Sequence, residues 1–261
     1  MTRLHHTPRV DYNQIAELYD SQPFRGKEVD PDFQEFLAER TTQQIASLCL
    51  LDIGCGTGNQ LVENRPEAPG ACLIGLDRFR GMLKQARPKA DDIHWPQGDG
   101  AALPLRASAF DFITNQYSFH HVHDKPGMTR EVYRILKSGG RFVMSNICPQ
   151  EVKSRFIYEY FPETLTYDLQ DFMPPEDIVG HMREAGFVNA GFDLEHIQWD
   201  STLTDFEHGV TRRDSCSQLI TISDEAYQAG LDRVRAEIKQ KGGDTFHQGY
   251  VCVVRGAGDK G

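Results

Sequence analysis

The segment Leu51-Asp52-Ile53-Gly54-Cys55-Gly56-Thr57-Gly58 limits what this chain can fold into more than any other stretch. A short continuous apolar run, residues 47–54, leads into glycines at alternate positions, and a helix is expected directly after them. A run of that length without polar alternation is the pattern of a strand covered on both faces, as in a parallel sheet packed between helices. Glycines at its end let the backbone turn sharply and approach a ligand that a Cβ would hold away. A tight strand-to-helix turn with no ligand uses the same residues, so the loop alone leaves both readings open.

The following residues repeat the alternation. Apolar runs at 72–77, 92–99, 110–116 and 141–147 read as four more strands, with a short helix at 82–86 between two of them. Asp124 can cap a helix whose apolar face is Met128, Val132, Ile135 and Leu136, with Gly139-Gly140 as its C-terminal stop. Strands and helices at this spacing imply parallel β-α-β units and an α/β fold. Before the first strand, Asp30-Pro31 reads as a helix N-cap and first helical position. Phe33, Phe36, Leu37, Ile45 and Leu48 then recur at roughly helical spacing, predicting one amphipathic helix over 31–46.

Past residue 147 the rhythm loosens. Residues 148–173 are aromatic-rich, a helix over 175–185 stops at Gly186, and a strand is expected near 190–198. Residues 200–245 interrupt again, with a Ser223-capped helix carrying Tyr227, Leu231, Val234 and Ile238, before a final apolar run at 249–254 and a short polar tail at 255–261. The expected organisation is one domain over 1–261: a helical N-terminal cap (1–46), a core (47–147), and insertions at 148–173 and 200–245 that form a substrate lid. The aromatics of 156–172 suggest a partly apolar pocket wall, or a lid packed on the core with no substrate contact.

Two more strand ends carry acids. Asp77 closes the second run, where a carboxylate can accept both hydroxyls of an adenosine ribose, with Arg78 and Phe79 placed to flank the adenine. Asp99, at the end of the third, can accept the adenine amino hydrogens while the N–H of Gly100 or Ala101 donates to the ring. Taken singly, Asp77 reads equally as a helix cap and Asp99 as a turn residue. The glycine spacing is G-x-G-x-G, with Asn59 where a dinucleotide fingerprint needs its third glycine, and this suits a cofactor with no pyrophosphate.

Composition narrows the partners. A formal net charge of -10 repels phosphate backbones, which argues against nucleic acid and for a small-molecule substrate. No run approaches a membrane span and none of the first residues forms a secretory core, so a cytoplasmic location is expected. The six cysteines (Cys49, Cys55, Cys72, Cys148, Cys216 and Cys252) form no C-x-x-C pair and read as buried free thiols. His120-His121-Val122-His123 lacks the carboxylate or cysteine partners of a metal site, so no metal is expected. Arg212-Arg213 reads either as a solvated pair or as a contact for a substrate anion.

LDIGCGTG, the acid of GLD (75–77), GDGAALPL (98–105), FDFITNQYSFHHV (110–122) and EVYRILKSGGRFVMSN (131–146) together resemble the class I S-adenosylmethionine-dependent methyltransferases. Within them the chain is similar to the branch holding the ubiquinone and menaquinone C-methyltransferases and many small-molecule methyltransferases. DYNQIAELYD (11–20) resembles that branch's lead-in helix, and Ser138 stands where proline is usual. The resemblance implies a Rossmann-like seven-stranded, mostly parallel sheet of order 3-2-1-4-5-7-6, helices on both faces, and S-adenosyl-L-methionine as cofactor, leaving S-adenosyl-L-homocysteine as product. It also implies that Asp52, Gly54, Gly56 and Gly58 hold the methionine half, Asp77 the ribose, and Asp99 and Ala101 the adenine. Asn115 would face the sulfonium, and Tyr12, Tyr19 and Arg25 would close over the cofactor carboxylate.

Methyl transfer needs a protein base only if the acceptor arrives protonated. His120 and His121, just past the fourth strand, are the candidates, and both also fit an ordinary polar helix start. Residues 115–118 read Asn-Gln-Tyr-Ser, without the Asn/Asp-Pro-Pro-Tyr/Phe run that positions a flipped DNA base. A nicotinamide-dependent oxidoreductase and a non-catalytic adenosine-binding module stand as the alternatives.

Overall fold

The computed structural model describes residues 9–22, 25–152 and 156–261. The chain divides into two compact units, one of residues 11–146, 175–193 and 255–261, the other of 9–10, 147–174 and 194–254.

The first unit is built on the expected alternation. Its N-terminal helices are α1 (Ala16–Tyr19), α2 (Pro31–Ala38) and α3 (Thr42–Ala46). The Asp30 side chain accepts from the amides of Asp32 and Phe33, so the predicted cap is in place. The single helix over 31–46 is instead two, because Thr41 and Gln44 form a capping box that starts a new helix. Then come β1 (Cys49–Ile53), α4 (Asn59–Asn64), β2 (Cys72–Leu76), α5 (Arg80–Ala86), β3 (Ile93–His94), β4 (Phe110–Gln116), α6 (Lys125–Ile135) and β5 (Leu136–Ile147). β1 pairs in parallel with β2 and β4, β2 with β3, and β4 with β5.

The third strand is shorter than the run at 92–99. Pro96 brings no N–H to a ladder, and beyond His94 only an isolated bridge joins Asp77 to Gln97. Asp124 caps α6 by accepting from Gly127 N, and the predicted face is fully buried: Met128, Val132, Ile135 and Leu136 are each 0% exposed. Burying side chains of this size contributes about 1.5–3 kcal/mol apiece. Gly139-Gly140 does not stop this helix, which ends at Ile135. The pair lies within β5, where the pairing with β4 jumps from Phe110↔Leu136 to Phe112↔Arg141. Gly140 fits there because a Cβ would meet Lys137 O at 2.9 Å and Asp111 O at 3.1 Å.

In the second unit, α7 (Phe156–Tyr160) and α8 (Pro162–Asp171) precede α9 (Pro175–Ala185) of the first. β6 (Phe187–Thr202), α10 (Leu203–Thr211), α11 (Ser217–Thr221), α12 (Asp224–Lys241) and β7 (Phe246–Lys260) complete the chain. Both insertions contribute to this second unit. The aromatics expected to wall a pocket form its core: Phe156, Tyr158, Tyr160 and Phe161 are buried with Leu203, Leu219 and Val234. The seven strands form one sheet in the order β3-β2-β1-β4-β5-β7-β6, the order the resemblance implies. The supposed polar tail is the end of β7, where Asp259 accepts from Arg141 at 2.8 Å and Lys260 donates to Leu136 O at 2.8 Å. Not every thiol is buried: Cys72, opening β2, is exposed, and Cys49 and Cys216 are half-buried. Among the described residues no helix is long and apolar enough to cross a membrane.

Candidate functional site

Parallel pairing brings the C-terminal ends of β1, β2 and β4 side by side, and the first unit holds a cleft above them. It encloses about 1050 Å³, part of it open to solvent.

The three loop glycines all have positive φ, 75° at Gly54, 56° at Gly56 and 80° at Gly58, but they serve different ends. A Cβ on Gly54 would meet Ser118 Oγ at 2.1 Å, and one on Gly58 would meet the Trp95 ring at 2.5 Å. In front of Gly56 nothing lies within 4 Å, so a Cβ there would enter the cleft itself. Gly54 and Gly56 line the cleft and Gly58 does not; Gly58 is needed for packing on Trp95.

Asp77 lines the same cleft. Its Oδ2 accepts from Gly56 N at 2.9 Å and its Oδ1 from Phe79 N at 2.8 Å. Burial raises its pKa, against the lowering effect of those two amides. The carboxylate therefore sets the shape of the glycine loop while keeping lone pairs for a ligand. Asp99 and Gly100 also line the cleft. Ala101 does not, and its N–H is spent on Asp99 Oδ1 at 3.0 Å, so Gly100 is the remaining backbone donor of that pair.

Asp52 is 3% exposed and accepts from Thr114 Oγ1 at 3.1 Å. Burial pushes its pKa up to about 7, with the Thr114 hydrogen bond and the Lys27 ammonium pulling the other way. Lys27 lines the cleft too, and burial lowers its pKa. Asn115 is fully buried; its Nδ2 donates to Ile53 O at 2.7 Å and Ser118 Oγ at 2.6 Å, while its Oδ1 has no partner among the described residues. An orphaned buried acceptor, an open face at Gly56 and buried carboxylates at two strand ends fit a cofactor with an amino acid portion, a ribose and a positive sulfur.

The lead-in segment supplies the opposite wall through Tyr12, Tyr19 and Arg25. The Arg25 guanidinium sits 4.0 Å over the Tyr19 ring. Tyr12 packs on Phe79 at 5.4 Å between ring centroids, and its hydroxyl lies 2.9 Å from His121 Nε2. Arg78 and Phe79 both face the cleft. The two histidines part company: His121 lines the cleft, whereas His120 does not and is held by Asn146 Oδ1 at 3.1 Å from its Nδ1. Burial lowers both, His121 to about 4, so each is neutral near pH 7.

Lys27, Ser118 and Tyr117 belong to the lining but were not singled out in the sequence. Tyr117 adopts φ 52°, a left-handed conformation uncommon outside glycine, at the exit of β4. No local pattern announces any of them.

An Asp77→Ala substitution is expected to weaken S-adenosylhomocysteine binding by roughly 1.5–3 kcal/mol, the range for hydrogen bonds to a charged group. Asp77→Asn, which keeps an acceptor for the Gly56 amide, separates ligand contact from loop geometry. Calorimetry showing wild-type affinity in both folded variants would remove Asp77 from the binding site.

A family model described as a methyltransferase domain matches residues 51–144. A demethylmenaquinone methyltransferase of Symbiobacterium thermophilum is 30% identical over 220 residues, covering 70% of this chain and 85% of that protein. A ubiquinone biosynthesis O-methyltransferase of Ruegeria pomeroyi is 28% identical over 184 residues, covering 65% of this chain and 73% of that protein. The fold is shared with a solved structure of Haemonchus contortus phosphoethanolamine N-methyltransferase 2 in complex with S-adenosyl-L-methionine, with a TM-score of 0.57 and 17% identity over 98% of this chain and 60% of that one.

Proposed function

Since the chain belongs to the class I S-adenosylmethionine-dependent methyltransferases and methylates a small molecule, we propose that its acceptor is phenolic or enolic and is deprotonated through the Tyr12–His121 pair. The cofactor supplies a methyl group already activated by a positively charged sulfur. What remains for the protein is to hold, align, exclude water and take a proton.

The observation that carries this reading is a neutral imidazole in the cofactor cleft, hydrogen-bonded to a tyrosine hydroxyl at 2.9 Å. A proton leaving an acceptor hydroxyl can be taken by this pair, with Tyr12 and Nε2 of His121 sharing it. The name of one curated relative, a ubiquinone biosynthesis O-methyltransferase, agrees with methylation of an oxygen, and that of another, a demethylmenaquinone methyltransferase, with a quinone-type acceptor. An amine acceptor calls for carboxylates around the acceptor nitrogen, and the cleft acids Asp52, Asp77 and Asp99 are all assigned here to the cofactor.

In the same reading Asp52 takes the cofactor's ammonium, Arg25 and Lys27 its carboxylate, Asp77 the ribose, and Asp99 with Gly100 the adenine. Asn115 Oδ1 faces the sulfonium side. Tyr117, strained at the end of β4, contacts the acceptor, in keeping with the clustering of strained backbone at working sites.

The test is direct. Purified protein is given methyl-labelled S-adenosylmethionine and a panel of catechols, hydroquinones, enols and amines of matched size. Label transfer to oxygen or ring carbon of the hydroxylated compounds is the expected result. Transfer confined to amines would overturn the acceptor assignment while leaving the family untouched.

A further inference from the structure

The lead-in segment, residues 11–22, has little of its own to hold it in place. α1 is a single short turn without a side-chain cap, yet Tyr12 and Tyr19 must stay over the cleft. Besides the contacts of Tyr12 with His121 and Phe79, two anchors do this. At the first, Asn13 Oδ1 accepts from Gly81 N at 2.8 Å, and a Cβ on Gly81 would meet Asn13 Cα at 3.0 Å.

The second anchor is a polar knot around Lys89, in the turn after α5. Its ammonium donates to Asp20 Oδ2 at 2.6 Å, to Thr57 O at 2.8 Å and to Asn59 Oδ1. The other oxygen of Asp20 accepts from Thr57 Oγ1 at 2.6 Å and from Asn59 Nδ2 at 3.1 Å. An ammonium has three donors and all three are used, one on the lead-in segment, one on the glycine loop and one on the first residue of α4. Burial pushes the Asp20 carboxyl up, but the hydrogen bonds from Lys89, Thr57 and Asn59 outweigh it and hold the group below its ordinary range. Lys89 and Asp20 do not line the cleft, whereas Thr57 and Asn59 do.

We propose that Lys89 is a positioning residue for the cofactor: it pins residues 11–22 to the glycine loop, and release of that pin governs how fast the cofactor enters and leaves. The inference rests on the cleft being the cofactor site. The geometry favours a pin that can open. Side-chain exposures of 26% for Lys89 and 36% for Asp20 leave the pair within reach of solvent ions, so salt screens it and weakens the closed state. A buried apolar contact at the same place would respond to salt in the opposite sense.

The test measures release of S-adenosylhomocysteine by competition in stopped flow, for wild type, Lys89→Met, Asp20→Asn and the double variant. Each single change is expected to speed release about tenfold, since each removes a hydrogen bond to a charged group. The double variant should be little faster than either single one, because both break the same pin. Lys89→Arg should retain slow release, and raising salt should speed the wild type while leaving Lys89→Met nearly unchanged.

Chymotrypsin gives a readout that needs no cofactor: cutting at Tyr12, Leu18 or Tyr19 should be faster in ligand-free Lys89→Met than in wild type. Circular dichroism and melting curves confirm that the variants fold. Additive effects in the double variant, or wild-type release in both single ones, would overturn the proposal. Faster cleavage beside unchanged release would overturn it alone, whereas wild-type protein that binds no S-adenosylhomocysteine would remove the cofactor assignment as well.

Discussion

Replacing His121 by asparagine is expected to lower turnover by about 10²–10⁴, the usual contribution of a positioned general base, when the acceptor carries a proton. S-adenosylhomocysteine affinity should change little, because the acids and amides assigned to the cofactor lie elsewhere in the cleft. The reason for so large an effect lies in the imidazole's surroundings. Burial, with smaller contributions from the Lys125 and Arg78 charges, holds His121 at about 4, so it is neutral and ready to accept a proton across the physiological range. That value is far below a phenol's, so the proton has to leave as the new bond forms and not before it.

Two consequences follow from the same number. With the enzyme saturated in S-adenosylmethionine, so that Asp52 stays ionised against the cofactor's ammonium, kcat/KM for the acceptor should fall on the acid side as pH drops through about 4, where an exposed histidine would place the fall near 6.5. An acceptor supplied as a preformed anion should react at nearly equal rates with wild type and variant, which a purely structural defect would not allow. His120 offers the contrast: it does not line the cleft and is held by Asn146, so His120→Asn should leave the acid limb in place. Equal turnover of a protonated acceptor by wild type and His121→Asn would eliminate the base assignment.

Why the sequence told the two strand-end acids apart from background, yet not the two histidines, is a matter of range. The sheet and its order were legible because continuous apolar runs and glycine bends are local, and parallel pairing then places their ends together. Asp52 and Asp77 ride on those ends, and Asp99 follows five residues after β3 ends at His94. His120 and His121 are adjacent in the chain, but one turns toward Asn146 on β5 and the other toward Tyr12 from the lead-in segment. No local pattern encodes contacts made across such separations. The same holds for Lys27 beside Asp52 and for Gly58, whose reason is the Trp95 ring from a different strand end. Gly139-Gly140 misled for a related cause: a helix stop and a slack point within a strand use the same residues, and only the pairing of β4 with β5 distinguishes them.

Asp52→Asn should produce a protein that is more stable without cofactor and far poorer at binding it. Asp52 is buried beneath the cleft with its pKa raised from an ordinary 3.8 to about 7. The folded chain thus takes up this proton as pH falls through about 7, while the unfolded chain takes it up only near 3.8. Stability from this group is therefore present in acid and lost as pH rises through 7, where the charged carboxylate is a burden on the fold. A gap of about three pKa units corresponds to at most about 4 kcal/mol at 1.36 kcal/mol per unit. The attraction of the Lys27 ammonium is already contained in that value, since it is one of the causes that hold the Asp52 pKa down. An increase of up to about 4 kcal/mol at pH 8 is expected, shrinking toward zero as the pH approaches 4. His121 works in the opposite sense, since its neutral form is the folded one and acid below 6.5 disfavours it. Comparing variant with wild type at each pH removes that contribution. Denaturant titrations across the pH range give the stability, and calorimetry with S-adenosylhomocysteine gives the affinity, expected to fall at least tenfold as a charge-assisted contact is lost. A variant no more stable than wild type at pH 8 would show that the charged Asp52 carboxylate does not burden the fold, and one that binds as tightly would show that the cofactor's ammonium is held elsewhere.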